Sequence, residues 1–313
     1  MTTTRAMGGS WVAVPTPMHA DGSVNYDGFA PLIDFHAENG TDAILLEGSA
    51  GEVAMLEPQE RRQIIDRTAA YARDKLPAFY GVSCTTTRAT LELTKYAEDQ
   101  GAAGVILTVP MYSMPTQTAI LDFLVTVATS TTLPVGIYNN PTRVHRNIDP
   151  ATVAALHREA PNFVVDKEAA PSAAQLVDVL EQTNHEISVM ACDNPGYGLF
   201  ATAVAMGDGM ANITGNLHPR EMAYLSRGEN AAADLGHWTR RFVDLLPLMR
   251  ACYSLPNPVA VKAGLELLGF VVGPTRLPLQ PMHGAKRDAL SDLLDRYGLR
   301  EAYGLRSAVA SGA

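Results

Sequence analysis

Short apolar runs alternate with amphipathic stretches along the chain from residue 10 onward. The apolar runs are rich in valine and isoleucine and are bounded by glycine or proline, a pattern typical of buried strands. They occur at residues 10–18, 43–50, 77–84, 104–110, 134–140, 163–169, 187–193 and 209–214. The pattern therefore predicts eight strands.

The stretches between these runs have the period of amphipathic helices. Apolar residues recur every three or four positions in residues 57–75 and 87–100. Thr87 and the pair Asp149 and Pro150 stand where helices would begin. Strand and helix thus alternate in eight units that end near residue 228, and eight is the number that closes a parallel barrel.

We therefore predict an α/β fold: a (β/α)8 TIM barrel in residues 1–228, followed by a C-terminal helical extension of the same domain in residues 229–313. The extension contains a helix-like run at residues 256–269 and ends in residues 306–313, a stretch typical of a frayed tail. A doubly wound open sheet is the alternative, because periodicity counts the units without showing that the sheet closes.

Composition and charge narrow the possible classes of protein. The chain has 313 residues, a formal net charge of -9 and no cluster of lysine and arginine, which argues against a nucleic-acid partner. It has neither an apolar run long enough to span a membrane nor a basic leader before an apolar segment, so no membrane partner is expected. The three cysteines are widely spaced, as in proteins of a reducing compartment. We predict a cytoplasmic protein.

Lysine is rare in this sequence, and Lys167 is the one that follows a β-branched apolar run at the end of a predicted strand. On that strand it would face away from its neighbours Asp166 and Glu168, because successive side chains alternate between the two faces. Burial favours the neutral amine of a lysine, which attacks the carbonyl carbon of a ketone or aldehyde to form an imine. We predict that Lys167 is the nucleophile; an ion pair with one of the two acids is the alternative.

Other candidate residues stand near the ends of predicted strands, where barrels carry their chemistry. Ser49 ends the second strand, Tyr112 follows the fourth and Tyr138 ends the fifth. Imine formation releases water and needs a proton shuttle, which Tyr138 relayed through Ser49 would supply. Arg143, just beyond Tyr138, is either a bidentate clamp for a distal carboxylate or a surface arginine.

Three further signals are weaker. The glycine-rich stretch at residues 48–52 is either a backbone site for an anion such as a carboxylate or an ordinary turn. Cys192, at the end of the seventh strand, is a better candidate for a residue lining the pocket than for an activated thiol. The histidines show no metal-binding spacing, so we predict no metal and no cofactor.

Several short motifs follow one another in the chain: AVPTPM, GSAGE, VPMY, YNNPTR, DKEA, ACDN, GDGMANITGN, NPVAVKAGLELLG and RLPL. In this order they resemble the dihydrodipicolinate synthase and N-acetylneuraminate lyase family of class I, Schiff-base aldolases, over nearly the whole chain. The resemblance implies that Lys167 is the Schiff-base lysine and that Tyr138 carries protons to and from the imine. It also implies that Ser49 and Tyr112 complete a hydroxyl relay.

The resemblance also implies an assembly and a set of partners. Tyr112 would reach into the site of a neighbouring subunit, within a homotetramer built from tight dimers. The backbone of Ser49 and Ala50 would hold the carboxylate of pyruvate, and Arg143 would recognise a carboxylate of the second substrate. The partners implied are therefore small molecules, a 2-oxo acid and an aldehyde.

The sequence departs from the family pattern around the predicted pocket. Synthases usually have two threonines where this chain has Ser49 and Ala50, and a glycine is common at the position of Cys192. Ala211 lies near a position often filled by a larger aliphatic residue, and Asp166 replaces an apolar residue before the lysine. We expect Asp166 to contact the surrounding helices through a hydrogen bond or an ion pair. Together the departures indicate an altered pocket.

We therefore predict a Schiff-base-forming lyase that acts on pyruvate or a related 2-oxo acid. The first reading is similar to dihydrodipicolinate synthase, in which the enamine attacks aspartate semialdehyde. The alternatives within the family are an aldolase, a dehydratase or a deaminase with a dicarboxylic or sugar-acid substrate. Two other classes stay open: a non-catalytic sensor of 2-oxo acids and a metal-dependent aldolase.

Overall fold

Eight parallel strands close into a barrel in the computed structural model, which describes residues 7–193 and 207–304. The strands follow one another in chain order around the barrel, and the last pairs with the first. The predicted barrel is confirmed, and the alternative of an open sheet is wrong. The strands are β1 (Gly9–Ala13), β2 (Ala43–Leu46), β3 (Ala78–Gly81), β4 (Gly104–Leu107), β5 (Val135–Asn139), β6 (Phe163–Glu168), β7 (Ser188–Cys192) and β8 (Gly209–Asn212).

Each predicted apolar run overlaps one of these strands and continues beyond its carboxyl end, although β1 begins one residue before its run. Val14, Val82 and Val109 lie past the last residues of β1, β3 and β4, yet all three are buried. Apolar residues in these runs still pack against the barrel beyond the last residue of each strand. Hydrophobicity alone therefore overestimates the length of the strands.

Helices alternate with the strands and form the C-terminal part of the chain. They are α1 (Phe29–Glu38), α2 (Pro58–Ala72), α3 (Thr87–Asp99), α4 (Gln117–Ala128), α5 (Pro141–Val144), α6 (Pro150–Glu159), α7 (Ala173–Gln182), α8 (Pro219–Leu225), α9 (Gly228–Ala233), α10 (Leu235–Cys252), α11 (Val259–Leu267), α12 (Gly284–Arg296) and α13 (Leu299–Tyr303). Pro150 begins α6 as predicted, whereas α3 is capped by Thr86 rather than by Thr87, because the Thr86 hydroxyl oxygen accepts a hydrogen bond from the Ala89 N–H at 3.2 Å.

Two predictions fall on parts of the chain outside the described residues. These are the helix expected between β7 and β8 and the tail at residues 306–313. Within the ranges that the structure does describe, no helix is both long enough and apolar enough to span a membrane.

Large side chains fill the interior of the barrel between its strands. The rings of Trp11 on β1 and Phe79 on β3 lie 4.5 Å apart, and both side chains are buried. A Cβ atom at Gly104 would lie 2.2 Å from the Phe79 ring, so glycine at this position leaves the space that the ring occupies. The cavities that hold the predicted site residues lie instead at the carboxyl ends of the strands.

A buried ion pair joins the C-terminal helices to the barrel. Lys262 on α11 lies 2.6 Å from the carboxylate of Glu52 in the loop after β2, and both side chains are almost fully buried. The backbone N–H of Arg276 donates to the other Glu52 oxygen at 2.8 Å. These contacts fasten the extension to the same loop that carries Ser49.

Candidate active site

Lys167 and Tyr138 lie side by side at the carboxyl ends of two neighbouring strands. They occupy paired positions on β6 and β5, and the Lys167 Nζ atom lies 4.0 Å from the centre of the Tyr138 ring. The lysine is 8% exposed and lines the cavities at the mouth of the barrel. The register of the parallel strands therefore brings the predicted nucleophile and the predicted proton shuttle together.

The acids next to Lys167 in the sequence do not pair with it. Among the described residues, no carboxylate lies within ion-pair distance of its Nζ atom. Glu168 accepts hydrogen bonds from the Asn139 amide at 2.9 and 3.1 Å and from the Gln175 amide at 3.3 Å. The alternative in which one of the acids neutralises Lys167 is therefore wrong.

Asp166 is buried without the partner that we expected from the sequence. Its side chain is 0% exposed, and neither carboxyl oxygen has a hydrogen-bond partner among the described residues. Its neighbours in the strand pairing are Ile137 on β5 and Val189 on β7, whose side chains offer no donor. Burial, followed by the nearby charge of Glu168, raises the pKa of Asp166 well above its usual value. Burial therefore favours the neutral form of Asp166.

Amide side chains hold the two hydroxyl groups that face the cavity. The Asn140 amide donates to the Tyr138 hydroxyl at 2.6 Å, and the Asn257 amide donates to the Ser49 hydroxyl at 3.4 Å. Asn257 precedes α11, so the C-terminal extension supplies a residue of the site. Asn257 was not predicted to belong to the site, although it stands in one of the motifs that carry the resemblance.

Two adjoining cavities share Lys167 in their walls, and we call them the large lobe and the small lobe. The large lobe has a volume of about 420 Å³ and the small lobe about 180 Å³. Both are lined by Lys167, Tyr138, Ser49 and Arg143. The large lobe is otherwise lined mainly by apolar residues, including Leu45, Leu46, Val53, Met55, Ile106, Met111, Val144 and Leu279.

The far wall of the small lobe contains Cys192, Asp193, Ala211, Asn212 and Tyr253. Two of these, Cys192 and Ala211, are predicted site residues, and both are buried. Burial raises the pKa of the Cys192 thiol to about 12, so the thiol is neutral at ordinary pH. A neutral thiol is a weak nucleophile, which supports a lining role for Cys192.

Asp193 organises this wall through hydrogen bonds to both of its carboxylate oxygens. Its Oδ2 accepts from the backbone N–H groups of Ile213 and Thr214 at 3.1 and 2.9 Å and from the Thr214 hydroxyl at 2.7 Å. Its Oδ1 accepts from the hydroxyl of Tyr253, which follows α10. Neither Asp193 nor Tyr253 was predicted from the sequence to line the site. Asp193 stood in the ACDN motif, whereas Tyr253 left no signal.

Two predicted site residues do not line either lobe within the described part of the chain. Ala50 is fully buried directly after Ser49. Tyr112 is 100% exposed, and its backbone has a φ of 74°, a conformation that is rare for a bulky residue. Its neighbour Met111 does line the large lobe. Tyr112 therefore projects away from the cavity of its own chain.

Arg143 lies on the short helix α5, directly beyond β5. Its side chain is exposed and lines both lobes, which is where a clamp for a substrate carboxylate would have to stand.

Among the described residues, no group of three or more histidine, cysteine, aspartate or glutamate side chains is placed to hold a metal ion.

Known proteins resemble this chain over most of its length. The model of the dihydrodipicolinate synthetase family matches residues 6–297. A 4-hydroxy-tetrahydrodipicolinate synthase of Methylibium petroleiphilum is 34% identical over 295 residues, covering 93% of this chain and 98% of that relative.

Solved structures give the same result. Dihydrodipicolinate synthase from Aquifex aeolicus superposes with a TM-score of 0.88 at 29% identity, covering 94% of this chain and 99% of that one. The chloride-inhibited dihydrodipicolinate synthase from Acinetobacter baumannii, complexed with pyruvate, superposes with a TM-score of 0.87 at 28% identity, covering 94% and 100%. With the barrel and the paired lysine and tyrosine in place, these matches show that the chain belongs to the dihydrodipicolinate synthetase family.

Proposed function

We propose that the chain is a Schiff-base lyase that binds pyruvate or a related 2-oxo acid through Lys167. The observation that carries the proposal is the setting of Lys167. It has no anionic partner among the described residues, it lines both lobes, and its Nζ atom lies 4.0 Å from the Tyr138 ring. The pyruvate complex of the Acinetobacter baumannii relative supports a 2-oxo acid as the ligand.

The chemistry starts from the neutral amine of Lys167. Its lone pair attacks the carbonyl carbon, and the resulting carbinolamine loses its oxygen as water and becomes a protonated imine. The imine nitrogen accepts the electrons of a bond that breaks at the neighbouring carbon, which gives an enamine. In the condensing direction a C–H bond breaks, and the enamine carbon then attacks the carbonyl of the second substrate.

Each of these steps moves a proton, and the hydroxyl groups of the cavity are the candidates to carry it. Tyr138 lies next to Lys167, and the Asn140 amide holds its hydroxyl. Ser49 lines the same cavity, and Asn257 holds its hydroxyl from the side of the extension. We assign proton transfer to Tyr138, with Ser49 as the next member of the relay.

The reaction class that we propose first is a condensation similar to that of the synthases. The named relatives support this choice. An aldolase, dehydratase or deaminase that acts on a related 2-oxo acid is the second candidate. It is favoured by Cys192, which stands where the family commonly has glycine, and by the loss of a hydroxyl at Ala50.

We propose that Tyr112 completes the site of a second subunit. Its full exposure and its strained backbone support this, because a bulky side chain held in that conformation in solvent is available to contact a second subunit. A tight dimer that exchanges Tyr112 would be the catalytic unit, and a homotetramer would combine two such dimers. We place the enzyme in the cytoplasm, without a cofactor.

We propose two carboxylate contacts at the mouth of the barrel. The backbone around Ser49 and Ala50 would hold the carboxylate of the 2-oxo acid, because glycine-rich loops after strands expose N–H groups. Arg143 would hold a second carboxylate, which its position in the walls of both lobes supports.

A turnover assay with pyruvate tests the reaction class. Aspartate semialdehyde is the first partner, followed by 4-hydroxy-2-oxoglutarate, 2-oxo-3-deoxy sugar acids and pyrroline carboxylates. Activity that survives a chelator would separate the imine mechanism from a metal-dependent one. Arg143→Ala should lower kcat/KM for dicarboxylic substrates by roughly 10- to 100-fold, through loss of a charge-assisted hydrogen bond. Equal activity of this variant would contradict the role of Arg143, and imine formation without any turnover would favour a sensor.

A further inference from the structure

Ser49 stands in a tight loop that ends at a residue with an unusual backbone conformation. Glu52 has a φ of 58°, in the left-handed region that a residue with a Cβ atom rarely adopts. Its N–H donates to the Ser49 carbonyl at 3.3 Å, so the backbone of Glu52 closes the turn that contains Ser49. Such a conformation costs free energy and persists only where the surrounding structure fixes it. The contacts of Glu52 therefore determine the shape of the Ser49 loop.

The C-terminal extension supplies the contacts that hold Glu52. The Lys262 Nζ atom lies 2.6 Å from one of its carboxylate oxygens, and the Arg276 N–H donates to the other at 2.8 Å. Lys262 also donates to the Pro274 carbonyl at 2.9 Å. The side chains of Lys262 and Glu52 are only 3% and 0% exposed, so water cannot replace either partner. Because an unpaired buried charge is strongly destabilising, the two side chains stay together.

The segment that carries Lys262 also holds the Ser49 hydroxyl. Asn257, just before α11, donates to this hydroxyl at 3.4 Å, which is long for a hydrogen bond. A contact of this length depends on how closely α11 approaches the loop. The ion pair between Lys262 and Glu52 is the shorter contact between the same two segments, so it sets their separation.

We infer that Lys262 is a positioning residue for proton transfer, because its ion pair with Glu52 holds the Ser49 hydroxyl in place at the cavity. The inference rests on the proposed function, which gives Ser49 its place in the relay. Within the described part of the chain, Lys262 lines neither lobe, so it acts on the reaction only through the loop. Loss of the ion pair should slow the proton transfers that pass through Ser49.

Hydrogen exchange at the methyl group of pyruvate measures this proton transfer without a second substrate. On the imine a C3–H bond breaks, its electron pair forms the enamine, and the proton leaves through the relay. In D2O the enamine carbon takes up a deuteron, and hydrolysis of the imine releases deuterated pyruvate from Lys167. The loss of the methyl signal in proton NMR gives kcat and KM for the exchange. Circular dichroism checks that each variant is folded.

A double-mutant cycle separates positioning from a purely structural role. Lys262→Met replaces the cation by an apolar side chain, and kcat should fall by roughly 10- to 100-fold, the cost of a small misplacement of a catalytic group. Ser49→Ala should lower kcat by roughly 100-fold or more, through loss of a proton carrier. Adding Lys262→Met to Ser49→Ala should lower kcat by less than about threefold, because the hydroxyl that Lys262 positions is already gone.

Lys95→Met is the matched control for the loss of a lysine ion pair. Lys95 pairs with Asp99 on the exposed surface of α3 and lines neither lobe in the described ranges, so this variant should keep the wild-type kcat. If Lys262→Met fails to fold, Lys262→Met combined with Glu52→Gln takes its place in the cycle, with the same expected result. The neutral pair leaves no buried charge unpaired, and the glutamine oxygen can still accept from the Arg276 N–H.

A wild-type kcat in the Lys262 variant would overturn the inference. Losses that multiply in the double variant would also overturn it, because Lys262 would then act independently of Ser49. The same holds if Ser49→Ala keeps the wild-type kcat. Failure of the proposed function gives a different result: the wild-type chain would then neither exchange the methyl protons of pyruvate nor form a borohydride-reduced adduct on Lys167.

Discussion

Two aspartates, Asp166 on β6 and Asp193 just after β7, are both 0% exposed, yet they have opposite surroundings. Asp193 accepts four hydrogen bonds, from Ile213, Thr214 and Tyr253. Asp166 has no hydrogen-bond partner among the described residues. A buried carboxyl is stabilising when donors surround it and costly when they do not. Asp193 therefore holds the wall of the site through hydrogen bonds, whereas the burial of Asp166 is a cost to the stability of the fold.

The largest effect should come from removing the bonded acid. Asp193→Ala leaves two backbone N–H groups and the Thr214 hydroxyl buried without an acceptor. We expect the free energy of unfolding to fall by at least about 3 kcal/mol, since each of the three orphaned donors costs about 1–3 kcal/mol. Urea denaturation measures this loss. Asp27→Ala, at an exposed position, is the control and should change stability by less than about 0.5 kcal/mol.

Replacing Asp166, which has no hydrogen-bond partner among the described residues, should instead raise the stability of the fold. Asp166→Val places an apolar side chain between Ile137 and Val189 and removes a polar group that has no donor. We expect the free energy of unfolding to rise by about 1–3 kcal/mol in urea denaturation at pH 7.

Asp166→Asn is the matched control for that substitution. It keeps a buried polar group of the same size and should stay close to the wild-type chain at pH 4. At pH 7 it should gain stability, because an amide takes up no proton on folding. A clear loss of stability in Asp166→Val, with none in Asp166→Asn, would show that the carboxyl has a partner and that the comparison is mistaken.

The pH dependence of the free energy of unfolding gives a finer test of the difference between Asp166 and Asp193. The pKa of Asp166 is raised in the folded chain by burial and by the charge of Glu168, so the folded state binds its proton more tightly than the unfolded state. The bound proton stabilises the folded state fully at pH values below the pKa of Asp166 in the unfolded chain, which is about 4. This contribution is lost as the pH rises toward the pKa of Asp166 in the folded chain.

The stability of the wild-type chain relative to Asp166→Val should therefore fall from pH 4 upward, with a slope of at most about 1.4 kcal/mol per pH unit. Glu168 also has a raised pKa and contributes to both chains, so the difference between the two chains is the quantity to follow. A stability difference that is the same at pH 4 and pH 8 would mean that Asp166 ionises freely in the folded chain.

The two aspartates also show what the sequence could reveal. The period of the apolar runs predicted eight strands, and the alternation on β6 placed Lys167 opposite its neighbours. These are local properties, set by the spacing of side chains along one strand. The prediction of a partner for Asp166 was wrong, because the residues beside it come from other strands, and both are apolar.

Tyr253, Asp193 and Asn257 were not predicted to belong to the site for the same reason. Tyr253 and Asp193 are 60 residues apart, and Asn257 and Ser49 are 208 apart. No spacing along the chain predicts such contacts. They form when the C-terminal extension packs over the mouth of the barrel. Lys167 was recognisable as a candidate because a lone cation at the end of an apolar strand is anomalous by itself. A tyrosine that follows a helix, such as Tyr253, is not anomalous in a sequence.

The most direct test of the account is the capture of the imine on Lys167. Wild-type chain is incubated with pyruvate and sodium borohydride, and the modified peptide is identified by mass analysis. Lys286→Ala, at an exposed lysine far along the extension, serves as the control and should be modified like the wild type. We expect a reduced pyruvate adduct on Lys167 and none in Lys167→Ala. An unmodified wild-type chain, or an adduct that persists in Lys167→Ala, would contradict it.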